Sequence, residues 1–365
     1  MDGVGDHPFR HIQKKYGNPH LIYTEFTSVE ALCHGDRQSW ANLLYDESQR
    51  PIIAQIYGKT PHYYRQVAVL LCELGFDGID LNMGCPAKTV ANKGCGAGLI
   101  RTPDLAQTLI GAVKAGVRDW YNGATGADCP DLPAKFVAAA AEKYAHLPPA
   151  AQVRRLIPVS VKTRIGYDEP SVDAWLPRLL DAEPAAVCLH GRTLRQAYSG
   201  QADWTLIGRG AELARGTGVP ILGNGDVTSL AAAHECSQIY GLDGVLIGRA
   251  SFGNPFVFTA TTPPADEQAQ RHQLIRIAVE HARLYEETFQ PQPRFWFLPM
   301  RKHLGWYIRD IRGARHLRTQ LLQTNNAHDV EQLLRQHGVL TTEEVRDAIA
   351  ISRYGPVHRT AEHLG

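Results

Sequence analysis

The chain has 365 residues, 44% of them apolar and 21% charged, which is room for one large α/β domain and a smaller one. Its 38 Lys and Arg against 37 Asp and Glu leave no bulk attraction for a polyanion, so any nucleic-acid partner must be met by a local patch. No apolar run reaches the ~18 residues of a membrane span, no signal-peptide pattern opens the chain, and seven scattered cysteines without a C-x-x-C pair argue against a disulfide framework and a zinc site and for a reducing cytoplasm.

In chain order, a helix over about 7–16 follows the opening Met1-Asp2-Gly3-Val4-Gly5-Asp6. Short apolar runs rich in β-formers then recur at 21–25, 52–57, 78–83, 158–164, 186–190, 220–223 and 244–247. Helical patterns separate them at about 61–74, 103–115, 172–181, 206–215 and 229–240. Strands alternating with helices predict βα units and a parallel sheet. The near-continuous apolar runs are what strands covered on both faces look like.

Seven strands are one fewer than a (β/α)₈ barrel requires. The chain opens where the loop after a first strand belongs. The expected fold is therefore a TIM (β/α)₈ barrel with strand 1 missing, and the expectation is a native strand upstream of Met1. An open seven-stranded sheet is the alternative. About forty residues separate the helix ending near 115 from the strand at 158, far beyond the usual ~2–6. They read as an insertion at about 116–157, with an alanine-rich helix near 134–144. Beyond a linker at 261–264 the pattern is helical (267–287, 299–311, 314–322, 327–336, 342–352), and the last dozen residues read as a frayed tail. The expected division is a barrel over 1–260 and a helical domain over 265–352.

Three groups of residues carry chemistry. Asp80-Leu81-Asn82-Met83-Gly84-Cys85-Pro86 is a strand that stops abruptly and hands a thiol to the loop beyond it. The carboxyl ends of strands are where α/β enzymes keep their chemistry. Gly223-Asn224-Gly225-Asp226 and Gly248-Arg249 close the last two strands, where barrels commonly hold a phosphate on glycine-rich backbone and a forked arginine. Gln55, Lys162 and His190 interrupt or close apolar strands, and with Asn82 and Cys85 would line one mouth. Amides and a cation in such a set suit a flavin ring. One phosphate pocket without a G-x-G-x-x-G favours FMN over a dinucleotide. The third group is basic and aromatic. Arg294, Arg301, Lys302, Arg309, Arg312, Arg315 and Arg318 face the single acid Asp310, with Phe295, Trp296, Phe297, Trp306 and Tyr307 between them. Cations among aromatics suit a phosphate backbone and unstacked bases; a solvated helix face is the plainer reading.

With these motifs the chain resembles the tRNA-dihydrouridine synthases, and is most similar to the bacterial B-type subfamily. The resemblance rests on Pro8-Phe9-Arg10, the stretch from Asp80 to Lys88, Gly96-Ala97-Gly98-Leu99, Val161 to Arg164, His190 to Thr193, Asn224 to Asp226, Ile247 to Arg249, Arg301-Lys302-His303 and Trp306-Tyr307. The chain departs from the family in keeping only Met1 of a first strand ending Ala-Pro-Met, in Gly5 where threonine is frequent, and in the insertion. The resemblance implies reduction of the C5=C6 bond of a tRNA uridine, with FMN as cofactor and NADPH or NADH as electron donor. It implies Cys85 as the proton donor. Met1, Gln55, Lys162, Asn224, Gly225, Asp226, Gly248 and Arg249 would bind FMN, with His190 beside it. Asn82 and Arg164 would face the uracil, and the helical domain, through Arg301 and Lys302, would grip the tRNA. The expected protein is a cytoplasmic monomer with tRNA as its partner, no metal and no membrane. An FMN enzyme of the dihydroorotate dehydrogenase type and a non-catalytic RNA-binding barrel are the alternatives.

Overall fold

The computed structural model describes residues 3–197, 199–260, 266–290, 295–308 and 315–352. The described residues divide into two compact units: those of Leu21–Leu44 with Arg50–Gly248, and those of Gly3–His20 with Tyr45–Gln49 and from Arg249 onward.

The first unit is built on a parallel sheet of β1 (Ile22–Tyr23), β2 (Thr27–Ser28), β3 (Ile52–Tyr57), β4 (Gly78–Met83), β5 (Val159–Gly166), β6 (Val187–Thr193), β7 (Ile221–Asn224) and β8 (Gly244–Leu246). The hydrogen-bonded order is β1-β3-β4-β5-β6-β7-β8, and β2 also pairs with β3. Tyr23 stands opposite Ile53 and Thr27 opposite Ile56, so β1 and β2 are two pieces of one strand broken by a single extra residue. The expected continuous strand at 21–25 is corrected to this interrupted one. Seven strand positions are filled, as the sequence pattern requires. Among the described residues β8 and β1 do not pair with each other. The architecture is a TIM-barrel-like α/β fold, with a helix following each of β3 to β7.

Alternation along the strands separates two faces. Ile52, Ile56, Ile79, Leu81, Val161, Val187 and Leu189 lie on one face and are fully buried. Helices cover this face. Trp175 of the helix Val172–Leu180 donates its indole N–H to Thr163 Oγ1 at 3.0 Å. A Cβ on Gly210 of the helix Trp204–Leu213 would come within 2.9 Å of Leu189. Each such buried aliphatic side chain contributes about 1.5–3 kcal/mol. The other face carries Tyr23, Gln55, Asp80, Asn82, Ser160, Lys162, Arg164, Cys188, His190 and Asn224, as the strand register requires.

The helix expected to end near 115 runs from Pro103 to Tyr121, which shortens the insertion. Gly116 does not break it. A Cβ there would sit 2.1 Å from the Arg65 carbonyl, so this glycine lets two helices touch. The insertion contains the helix Ala134–His146, whose Phe136 is fully buried and stacks on Trp40.

In the second unit the helix His7–Gly17 packs with Glu267–Phe289, Leu298–Tyr307, Arg315–Leu321, Ala327–Gln336 and Thr342–Ser352. Ile12 lies in one apolar core with Val279, Met300, Leu304, Val330 and Leu334. The sequence places one boundary near 260. The contacts instead group the first helix with the C-terminal helices, because Phe9 and Ile12 find their partners there. The linker residues 261–264 and the tail 353–365 lie outside the described residues. Among the described residues no helix is long and apolar enough to cross a membrane.

Candidate active site

The polar face of the sheet is a hydrogen-bonded array. Gln55 and Asp80 are opposite one another on β3 and β4, and Gln55 Nε2 donates to Asp80 Oδ2 at 2.8 Å. Asn82, one turn of the strand further on, donates its Nδ2 to Gln55 Oε1 at 3.1 Å. Asn82 Oδ1 accepts from the backbone N–H groups of Gly84 and Cys85 at 3.1 and 2.8 Å. Ser160 donates to the second Asp80 oxygen at 2.7 Å, and Gln55 N–H to Thr24 Oγ1 at 3.0 Å. Lys162 stands opposite Asn82 and donates to Asn224 Oδ1 at 3.1 Å. Asn224 in turn donates to the Leu246 carbonyl at 2.9 Å, joining the ends of β7 and β8.

His190 lies in the same row as Arg164 and Asn224. Its ring is beside Gly225: a Cβ on that glycine would stand 3.4 Å from His190 Cδ2 and 2.5 Å from Ala202. With φ at +139°, position 225 suits glycine on both counts. Gly248 follows β8 at the neighbouring strand end. The Asp226 carboxylate is engaged by Arg192 at 2.6 Å and by the Ala202 N–H at 2.8 Å, so it pins the loop between β6 and β7. Arg164 is buried and donates to the carbonyls of Gly84 at 2.6 Å and Thr193 at 3.1 Å, spanning the ends of β4 and β6.

Cys85 is buried in the loop just past β4, in a small cluster with Val90 and Cys95 against Phe26 and Tyr57. Its carbonyl accepts from Ala97 N–H at 3.2 Å, and a Cβ on Gly96 would come within 3.2 Å of its own Cβ. Gly96, at φ +55°, therefore leaves room for the cysteine.

The structure brings Gln55, Asn82, Lys162, Arg164, His190, Asn224 and Gly225 onto this face or its rim, with Cys85 beyond the end of β4. Arg249, Arg301 and Lys302 belong to the second unit. Arg249 opens the turn Arg249–Ser251. The Arg301 guanidinium donates to the Thr324 carbonyl and to Asn325 Oδ1, both at 2.8 Å, tying down the segment after the helix Arg315–Leu321. Lys302 Nζ would lie 3.4 Å from a Cβ on Gly3. Met1, Arg294, Arg309, Asp310 and Arg312 lie outside the described residues. Among the described residues no cluster of three His, Cys, Asp or Glu could hold a metal.

The sequence motifs include Asp80 and Arg192 without giving either a role, and Ser160 and Tyr23 lie outside the residues they mark. The signal was there for two of them, since Asp80 alternates with Asn82, and Ser160 with Lys162, inside apolar strands. Burial pushes the Asp80 carboxyl up to about 6, against the Ser160 and Gln55 hydrogen bonds and the Lys162 charge. Burial also pushes the Cys188 thiol up to about 12 and the Tyr23 phenol upward, so both stay neutral at pH 7. Lys162 and Arg164 are the two basic side chains of this face, the first bonded to Asn224 and the second to the carbonyls of Gly84 and Thr193.

A donor set of two amides, an imidazole and a lysine on one face fits a flavin ring, and no dinucleotide fold is needed beside it. A family model described as dihydrouridine synthase matches residues 1–120 and 127–343. The chain is 33% identical over 355 residues to "Probable tRNA-dihydrouridine synthase" of Staphylococcus aureus (strain COL), covering 95% of this chain and 94% of that protein. It is 32% identical over 345 residues to "Probable tRNA-dihydrouridine synthase 2" of Bacillus subtilis (strain 168), covering 92% of this chain and 91% of that protein. The chain belongs to the dihydrouridine synthase family.

Proposed function

We propose that this dihydrouridine synthase reduces the C5=C6 bond of a uridine in tRNA, with FMN on the polar face of the sheet and NADPH or NADH as electron donor. The observation that carries the reading is the convergence of Gln55, Asn82, Lys162 and His190 on one face, beside the loop of Cys85. Gln55 and Asn82 would bond the edges of the flavin and the uracil. Lys162 would supply positive charge where electron density accumulates. Asn224, Gly225, Gly248 and Arg249 would hold the phosphate, with Asp226 fastening their loop through Arg192, and Met1 would add a contact.

FMN held there by Gln55, Lys162, Asn224 and Gly225 would supply hydride chemistry at C6 of the uracil. Cys85 would deliver a proton to C5, the role of a general acid beside the reacting double bond. Arg164 holds the Gly84 carbonyl and so steadies the cysteine loop. The target base must leave its stack to reach such a site. The helical unit, with Lys302, Arg315 and Arg318, would bind the tRNA backbone electrostatically, Arg301 shaping that surface. The protein would act as a cytoplasmic monomer without metal.

The test is reaction of the purified, FMN-loaded protein with unmodified tRNA and, separately, with free uridine and dihydroorotate. Dihydrouridine in tRNA alone is the expected result. Turnover of the free pyrimidines without tRNA, or a protein that binds tRNA but retains no flavin absorbance, would overturn the reading.

A further inference from the structure

We infer that Asp80 is a positioning residue: it sets which way the amides of Gln55 and Asn82 point and, through them, the seating of the loop that carries Cys85. The inference deepens the proposed reaction and rests on Cys85 and the two amides serving it.

The hydrogen-bonded chain runs between two fixed ends. The backbone N–H groups of Gly84 and Cys85 can only donate, and both aim at Asn82 Oδ1. Asn82 must then turn its Nδ2 to the other side, where it meets Gln55 Oε1. Gln55 is left presenting Nε2, and that N–H needs an acceptor. Asp80 Oδ2 is that acceptor, and its other oxygen takes the Ser160 hydroxyl proton. An ionised carboxylate accepts and cannot donate, so it admits one direction of the whole chain. Reversing any link sets two donors or two acceptors face to face in a buried site.

Asp80 is fully buried at the centre of β4. The groups facing it are Tyr23 from β1, Gln55 from β3, Ser160 and Lys162 from β5, and Cys188 from β6. Burial makes its charged form unfavourable and moves its titration up to about 6. A neutral group would serve the fold better at pH 7. What the carboxylate adds is direction.

Asp80→Asn separates the two roles, because an asparagine offers Gln55 either an oxygen or an N–H. At pH 7.5 the full-length variant melts at or above the wild-type temperature. Its kcat on tRNA falls about tenfold or more, as expected of a misplaced reacting group, while KM for tRNA stays within about threefold. The wild-type kcat rises with pH through about 6, and the variant lacks that limb. Asn82→Asp alone leaves the Gln55 amide between two carboxylates, so its oxygen must face one of them, and is the worst case. The pair Asp80→Asn with Asn82→Asp restores one direction: the aspartate at 82 accepts from Gly84, Cys85 and Gln55, and the asparagine at 80 donates to Gln55 and accepts from Ser160. Iodoacetamide alkylation of Cys85 in the flavin-free protein reads the loop directly. Its rate departs from wild type in each single variant and returns in the pair.

Wild-type kcat with the limb near pH 6 intact in Asp80→Asn would overturn the inference. So would failure of that variant to fold, or a double variant no nearer wild type in alkylation than Asn82→Asp. If Cys85→Ala were fully active, the proposed reaction would fail, while the alkylation series would still decide the role of Asp80.

Discussion

Along β4, Ile79, Leu81 and Met83 turn to the helices, and Asp80 and Asn82 turn the other way. The first three are fully buried hydrocarbon that stabilises the first unit. The other two are buried as well, but they sit in a polar array whose carboxyl titrates well above its ordinary range. The same division holds on β5 between Val161 and Lys162 and on β6 between Leu189 and His190. A parallel sheet with helices on one side lets stability and chemistry be carried by alternate residues. A change on one side should therefore leave the other largely unaffected.

The largest effect that would break this comparison concerns the loop beyond the polar face. Cys85→Ala should lower dihydrouridine formation by about 100-fold or more, the scale of a lost general acid. The rate at which NADPH bleaches the flavin should stay as in wild type. Equal losses in both steps would mean that the cysteine supports the fold and not proton transfer. On the helix face, Leu189→Ala should cost about 2–5 kcal/mol in urea unfolding, with turnover per folded molecule unchanged. A fall in turnover would show the faces to be coupled.

Lys162→Met tests the converse. Loss of a charged hydrogen bond, about 1.5–3 kcal/mol, should weaken FMN retention tenfold to a hundredfold by equilibrium dialysis. The melting point of the flavin-free protein should move little, because Lys162 is only half-buried. A collapse of stability would make Lys162 a structural residue.

The second unit sharpens the contrast by titrating in the opposite sense. His281 is buried, bonded to Tyr307 at 3.2 Å, and held neutral down to about 3 by burial and by His11. The unfolded chain takes up a proton near 6.5, so stability falls as pH drops below that value. Between pH 7.5 and 5.5 the loss from this group is about 1.4 kcal/mol, and His281→Gln should remove it. Asp80, whose folded value is raised, works the other way. Its contribution is present below about 4 and is lost as pH rises toward 6.

Much of this was legible in the residues alone, for local reasons. The strands at 52–57 and 78–83 are continuous apolar runs bounded by turn residues, and both match the observed β3 and β4. Gln55, Asn82 and Lys162 stood out because they interrupt such runs. What escaped depends on residues far apart in the chain. Thr27–Ser28 is too short to show a pattern, and only its register with β3 makes it a strand. Gly116 reads as a helix breaker until Arg65 is placed against it. Phe9 and Ile12 look like part of a barrel helix, yet their neighbours are His281, His303 and Met300. Asp80 acquires its role only when Gln55, 25 positions earlier, is brought beside it.

Mass-spectrometric mapping of tRNA from a strain lacking this protein, complemented in turn with wild type and Cys85→Ala, bears most directly on the reaction assigned to the polar face. Dihydrouridine should disappear at a defined tRNA site, return with the wild-type chain and stay absent with the variant. Undiminished dihydrouridine in the deletion strain, or full restoration by Cys85→Ala, would contradict the account.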